Sequence, residues 1–252
     1  MLAQRNHNKI SSLELSVVVP VHNEVGNVEP LAHEIQIALE KIAKYEIIFV
    51  NDCSCDGTSE KLDALKREIT CLRVLTHKKK FGQSAAIRSG VKATAAPLVV
   101  TLDGDGQNNP NDIPSLLQAY KEHSALAPNV MVCGHRYNRQ DSSVKLMSSK
   151  IANVIRSSLL GDSTLDTGCG LKVFRVEDFM ELPGFDHMHR FLPALMIRNG
   201  GQVISVKVSH RPRERGSSNY GTFDRLWVGI SDLFGMIWLK RRLINIEAEE
   251  SE

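Results

Sequence analysis

The sequence predicts an α/β protein built on one mostly parallel sheet, and three observations carry that prediction. Short β-branched runs alternate with helix-period segments from Leu15 to about Val132. The apolar share, 42% of 252 residues, is enough to bury one substantial core or one core with a small appendage. No internal repeat, low-complexity tract or long flexible linker marks a second domain.

Taken in order, the strand LSVVVP is followed by a helix near 28–43, then EIIFV and a helix near 57–68. LRVLT, a helix near 83–94, LVVTLD, a helix near 113–122 and VMVCG continue the alternation. Such a βαβ series places its strands parallel, with helices as crossovers. After Gly134 the pattern loosens into a polar loop, a helix around 144–160 and a glycine-broken segment at 166–170. The strand QVISVKVSH, the loop RPRERGSSNYG and a last helix from about Phe223 complete the chain.

Charge and cysteine content narrow the function. With 31 basic and 29 acidic residues the formal net charge is +2, so nothing global marks a nucleic-acid binder and any basic surface must be local. Five scattered cysteines without C-x-x-C spacing read as reduced thiols of a cytoplasmic protein. The polar start MLAQRNHNKISSLE has no apolar h-region, and no stretch approaches the ~18 uncharged apolar residues a spanning helix needs. A membrane would be met from the side. Residues 1–14 are expected to be a flexible segment, 15–222 the catalytic domain, 223–242 an interfacial helix and 243–252 an acidic disordered tail.

In parallel sheets ligands sit beyond the carboxyl ends of the strands. Three strand ends here are unusually polar: Pro20 to Glu24, Asn51-Asp52, and Asp103-Gly104-Asp105-Gly106-Gln107. The last set puts two hard oxygen ligands one residue apart, with glycines that let the backbone turn sharply. That donor set suits Mg²⁺ or Mn²⁺, which typically take one or two protein carboxylates and complete their shell with diphosphate oxygens and water. Asp-Gly-Asp-Gly alone also reads as an ordinary turn; the position at a strand end favours a ligand site. At Asp52 a nucleotide contact is expected, whereas Asp56 and Thr58 read as caps of the next helix.

Four segments in order and register, VVVPVHNE, VNDCSCDGT, KFGQSAAIRSG and TLDGDGQNNP, resemble the family 2 inverting glycosyltransferases with the GT-A fold. CGHRY, KLMSSKIAN, DTGCGLKVFRVE and PRERGSSNYG further resemble the polyprenyl-phosphate branch, which includes the dolichyl-phosphate mannosyltransferases. The resemblance implies that Pro20, His22, Glu24 and Asp52, with Asp103, Gly104 and Asp105, hold a GDP- or UDP-linked sugar, and that Asp103, Asp105 and Gln107 hold the metal. It implies that Arg136, Lys145, Ser149 and Arg213 meet an acceptor phosphate, with Arg175 a further candidate, and that Asp103, Asp105, Arg136 and Arg213 are central to catalysis. The sequence departs from the pattern at Lys145, where arginine is commoner, at Asn219, where lysine often stands, and at Asn51, which replaces an aspartate.

Beside the resemblance, Arg136, Lys145, Lys150, Arg211, Arg213 and Arg215 fall in loops at the same predicted sheet end of a nearly neutral chain. A local excess implies an anion, although a single loop arginine is more often merely solvated. Phe223, Leu226, Trp227, Ile230, Leu233, Phe234, Ile237 and Trp238 recur at three- and four-residue steps, within a roughly 140° arc. Lys240-Arg241-Arg242 follow, as on a helix lying in a headgroup layer. The same stripe would equally suit the protein's own core or a second subunit in a homo-oligomer.

The expected reaction is inverting transfer of a hexosyl group to a polyprenyl phosphate at the cytosolic face of a membrane. The rival readings are a family 2 enzyme acting on a soluble glycan or protein, and a non-catalytic nucleotide-sugar-binding scaffold.

Overall fold

The computed structural model describes residues 13–137, 159–162, 164–212 and 222–242, with backbone alone for 222–228 and 230. Its elements are β1 (Leu15–Val21), α1 (Val28–Leu39), β2 (Tyr45–Asn51), α2 (Thr58–Glu68), β3 (Leu72–Thr76), α3 (Gln83–Lys92), β4 (Leu98–Thr101) and α4 (Ile113–Ser124). They continue with β5 (Val130–Arg136), β6 (Lys172–Arg175), α5 (Val176–Met180), α6 (Leu192–Arg198), β7 (Gln202–Val208) and α7 (Thr222–Lys240).

The elements through β5 stand where hydrophobic period places them, although α1 ends at Leu39 and α3 at Lys92, short of the expected 43 and 94. Of the helix expected at 144–160, only Leu159 and Leu160 lie inside the described residues, and both are helical. β6, α5 and α6 are additions. KVFR is four residues long with a cation at each end, so it carries no readable alternation.

The seven strands form one sheet in the order β3-β2-β1-β4-β6-β5-β7. All neighbours pair parallel except β6, which runs antiparallel to both β4 and β5. The sheet is mostly parallel, as the βαβ series requires, with one reversed strand.

Period-two alternation divides the core between the two faces. Val17, Val19, Ile47, Phe49 and Val100 point to one side, where α1, α2 and α4 supply Leu31, Ile35, Leu62 and Leu116. Val18, Ile48, Val50 and Val99 point to the other, against Ala86, Val91, Phe179, Leu195 and Met236. Strands buried on both faces read as continuous apolar runs, which is why LSVVV and EIIFV look uniform in sequence.

Helix α7 divides its own stripe. Met236 is buried and Leu233, Ile237 and Leu239 pack on the second core, whereas Phe234 and Trp238 stay 69% and 60% exposed. Its last turn is tied down by Arg198, whose Nε donates to the Leu239 carbonyl at 3.1 Å, and by Lys240, whose Nζ donates to the Leu160 carbonyl at 2.8 Å. No helix among the described residues is long and apolar enough to cross a membrane.

The closest approach of α3 to the sheet is made at Gly90, where a Cβ would sit 2.3 Å from Val18 Cγ1 and 3.0 Å from Val50 Cγ2. Overpacking of this kind typically costs about 1–3 kcal/mol. Gly90→Ala is therefore expected to lower the free energy of unfolding by that amount, with a correspondingly lower urea midpoint, despite its gain in helix propensity; an unchanged or raised midpoint would show that α3 can move off the sheet at no cost.

Candidate active site

The reversed strand decides what gathers at the site. β1, β2, β4, β5 and β7 deliver their carboxyl ends, and with them residues 22–25, 51–56, 103–109, Arg136 and 209–211. β6 delivers its amino end, and with it the 166–170 loop and Lys172.

Asp103 lies just past β4. Gly170 faces it so closely that a Cβ there would fall 2.3 Å from the carboxylate. Gln83, the first residue of α3, donates its Nε2–H to Asp103 Oδ1 at 2.8 Å, and the Asp103 N–H is received by Asn108 Oδ1 at 3.1 Å. Asp105 Oδ1 accepts the Gln107 N–H at 3.1 Å. Gly104 seats the loop on β1, since a Cβ there would meet Val21 Cγ1 at 2.5 Å and the Pro20 carbonyl at 2.8 Å. Burial, and then the charge of Asp105, push the Asp103 carboxyl up to about 6, against the opposite pull of Lys172 and Arg136.

Two carboxylates that repel each other in a shared crevice fit a divalent cation. No group of three or more His, Cys, Asp or Glu side chains surrounds them among the described residues. Asp103, Asp105 and the amide of Gln107 would thus leave most of an octahedral shell to an incoming diphosphate and water.

Asp52 is turned inward. Only 3% exposed, it accepts on Oδ1 from His77 Nδ1 at 2.7 Å and from the Phe81 N–H at 2.8 Å, and on Oδ2 from the Gly82 N–H at 2.7 Å. It is the anchor of the 77–82 loop that leads into α3. Burial alone would raise its pKa, but the hydrogen bonds from His77, Phe81 and Gly82 outweigh it and hold the carboxyl below its ordinary range.

His22 Nδ1 donates to the Asp52 carbonyl at 2.8 Å, and Glu24 Oε2 accepts from Asn27 Nδ2 at 2.6 Å. The cap expected at Asp56 or Thr58 is corrected: the N-cap of α2 is Gly57, and Thr58 is its first residue. Asp56 takes the Thr58 N–H at 3.1 Å in an Asx turn and the Val25 N–H at 3.2 Å, tying the 53–58 loop to the end of β1. Asn51 uses both ends of its amide, donating to Ser59 Oγ at 2.7 Å and accepting from the Ser54 N–H at 3.0 Å. A carboxylate at that position could not donate.

On the basic side Arg136 is gripped at two points by Asp166, Nε to Oδ2 at 2.6 Å and Nη2 to Oδ1 at 2.8 Å. A guanidinium has about five N–H donors, so some three remain for another anion. Lys172 is buried beneath the same wall and donates to the carbonyls of Thr167 and Cys169. Sequence reasoning left Asp166, Lys172, His77, Gln83 and Asn108 without roles. Asp166, Lys172, Gln83 and Asn108 were signalled only by lying inside the quoted motifs, and His77 lies outside all of them.

The expectation for Arg175 is corrected. β6 is antiparallel, so Lys172 stands opposite Thr101 at the site end and Arg175 stands opposite Leu98, about 10 Å down the sheet. There Arg175 pairs with Glu177. Lys145, Ser149 and Arg213 lie outside the described residues.

The sequence profile described as Glycosyl transferase family 2 matches residues 16–182. The chain belongs to glycosyltransferase family 2. Among its relatives, dodecaprenyl-phosphate galacturonate synthase of Rhizobium johnstonii is 33% identical over 242 residues, covering 93% of this chain and 70% of that protein. Undecaprenyl-phosphate 4-deoxy-4-formamido-L-arabinose transferase of Aeromonas hydrophila is 32% identical over 209 residues, covering 82% of this chain and 63% of that protein. The family 2 chain has the GT-A fold. It superposes with TM-score 0.64 on the crystal structure of glucosyl-3-phosphoglycerate synthase from Mycobacterium tuberculosis in complex with Mn²⁺, UDP and phosphoglyceric acid. That match has 15% identity and covers 92% of this chain and 80% of the other.

The inward role of Asp52 has a pH signature. A carboxyl whose folded pKa is depressed stabilises the fold above its unfolded pKa of about 3.9, and that contribution is lost as pH falls through the lower folded value. Asp52→Asn turns one acceptor into a donor facing the Gly82 N–H, which should cost about 1–3 kcal/mol near pH 7. In urea unfolding the gap from wild type should narrow as pH falls from the unfolded pKa of about 3.9 through the lower folded value, where a protonated Asp52 carries the same misdirected hydrogen. A gap constant with pH would remove the assignment.

Proposed function

We propose that this chain transfers a hexosyl group, with inversion, from a GDP- or UDP-linked sugar to a polyprenyl phosphate at the cytosolic surface of a membrane. The observation that carries the reading is the arrangement at one sheet end. A pair of carboxylates, Asp103 and Asp105, stands on one side, and the Asp166-oriented guanidinium of Arg136 stands on the other. Two anionic groups, a diphosphate and an acceptor phosphate, fit those two sides. The names of the two relatives support the same acceptor class.

In this reading Pro20, His22, Glu24 and Asp52 shape the nucleotide pocket, Asp52 by fixing the 77–82 loop. Asp103, Asp105 and Gln107 would hold Mg²⁺ or Mn²⁺, which when bound offsets the charge that builds on the departing diphosphate. Arg136 orients the acceptor phosphate, with Lys145, Ser149 and Arg213 assigned to the same task. An acceptor oxygen then forms a bond to the anomeric carbon as the bond to the diphosphate breaks, and the electron pair leaves with the nucleotide. A phosphate oxygen is anionic near neutral pH, so no general base is required and the chain's contribution is alignment and fixed charge.

Residues 15–222 form the catalytic domain in this reading and 223–242 the membrane-facing helix. Phe234 and Trp238, one turn apart and exposed beside Arg241 and Arg242, are the residues that would enter the headgroup layer. The split of the α7 stripe supports lipid contact for that edge and core packing for the other.

A screen of nucleotide sugars against a short polyprenyl phosphate with Mg²⁺ or Mn²⁺ tests donor, acceptor and metal together. Transfer is expected, with loss of at least about 100-fold in Asp105→Ala at unchanged circular dichroism. Turnover of soluble glycans in place of the lipid would overturn the acceptor assignment. Separately, the double variant Phe234→Ser, Trp238→Ser should cosediment with anionic vesicles several-fold less than wild type while keeping its unfolding midpoint. Equal cosedimentation would remove α7 from the membrane contact, and a change of oligomeric state instead would make that edge a subunit interface.

A further inference from the structure

Arg211 stands among the loop cations that a phosphate would be expected to attract, but its guanidinium is committed elsewhere. Nη1 donates to Glu34 Oε2 on α1 at 2.6 Å, and Nη2 donates to Asn109 Oδ1 at 2.7 Å. Its own N–H donates to the Gln107 carbonyl at 3.2 Å. One residue earlier, His210 makes an antiparallel bridge with Asn108. Asn108 is 3% exposed and is the residue that receives the Asp103 N–H. The chain leaving β7, at His210 and Arg211, is thus laced to the 103–109 loop two residues before Arg213 in the sequence.

We propose that Arg211 is a positioning residue that registers residues 209–212, which directly precede Arg213 in the sequence, against the carboxylate loop, and is not itself a phosphate ligand. This inference rests on the transfer reading above. Two magnitudes favour a kinetic role. Half-exposed ion pairs such as Arg211–Glu34 contribute little to global stability, whereas a misplacement of about 1 Å between reacting groups can cost about 100-fold in rate. A latch of this kind should also separate two activities. Loss of a sugar to water needs only the carboxylate loop and the donor pocket, while transfer needs both loops in register.

The test compares wild type with Arg211→Ala, Arg211→Lys and the milder Glu34→Gln, which touches neither loop. Transfer to polyprenyl phosphate in Arg211→Ala is expected to fall by about 10- to 100-fold, with a raised acceptor KM. The donor KM and acceptor-free hydrolysis of the nucleotide sugar should stay within about twofold, a change too small to signal a lost contact. Arg211→Lys should recover part of the loss and Glu34→Gln should show a smaller version of it. Amide hydrogen exchange should rise at 209–212 and stay unchanged at 103–106. Hydrolysis and transfer falling together, no loss of transfer, or unchanged exchange at 209–212 would each overturn the latch. Failure of the underlying reading looks different, because wild type itself would then hydrolyse the donor yet transfer to no polyprenyl phosphate. The exchange pattern would still decide the latch in that case.

Discussion

The site depends on confining two like charges. Asp103 and Asp105 lie in one loop at the end of a buried strand, and the charge of Asp105, after burial, raises the cost of ionising Asp103. Left to itself such a loop would relax by letting one carboxylate swing into water. Here it does not, because Gly104 seats the backbone on β1, Gly170 closes over the Asp103 carboxylate, and Asn108 pins the Asp103 amide from a buried position. Packing thus holds the two like charges side by side at the end of β4.

A second carboxylate has the opposite fate. Asp52 is at least as well shielded as Asp103, yet three donors converge on it and hold it ionised. Its charge is consumed in ordering the 77–82 loop and the first turn of α3, and Gln83 of that turn reaches Asp103. Two acidic strand ends thus divide the labour. One is satisfied internally and supplies rigidity; the other keeps two carboxylates together where the strands end. Side-chain type alone does not distinguish them, since the difference lies in how many N–H groups each can reach.

The cations sort in the same way. Arg136 is oriented by Asp166 with donors to spare, Lys172 is spent on the carbonyls of the 166–170 loop, Arg175 is carried to the far end of the sheet, and Arg211 is spent on Glu34 and Asn109. A count of loop arginines and lysines overstates the positive charge offered to an anion. What matters is the fraction left unpaired after the fold has taken its share.

Sequence by itself determined the mostly parallel α/β architecture, the polar strand ends and the placing of Asp103-x-Asp105-x-Gln107 at one of them. All three are written in local patterns: period two or 3.6 in the apolar residues, and carboxylates at fixed short spacing beside glycine. The split of α7 into a packed edge and an exposed edge was only half legible, because an apolar stripe does not state which of its residues meet a core. Tertiary structure alone decided the direction of β6, and with it the exchange of Arg175 for Lys172 at the site. It alone decided the partners of Asp52, Arg136 and Arg211, drawn from segments about 25 to 177 residues away in the chain. The physical reason is that strand pairing and hydrogen-bond satisfaction are long-range. They are settled when the sheet closes, and a four-residue strand bounded by cations carries no signal of the neighbour it will choose.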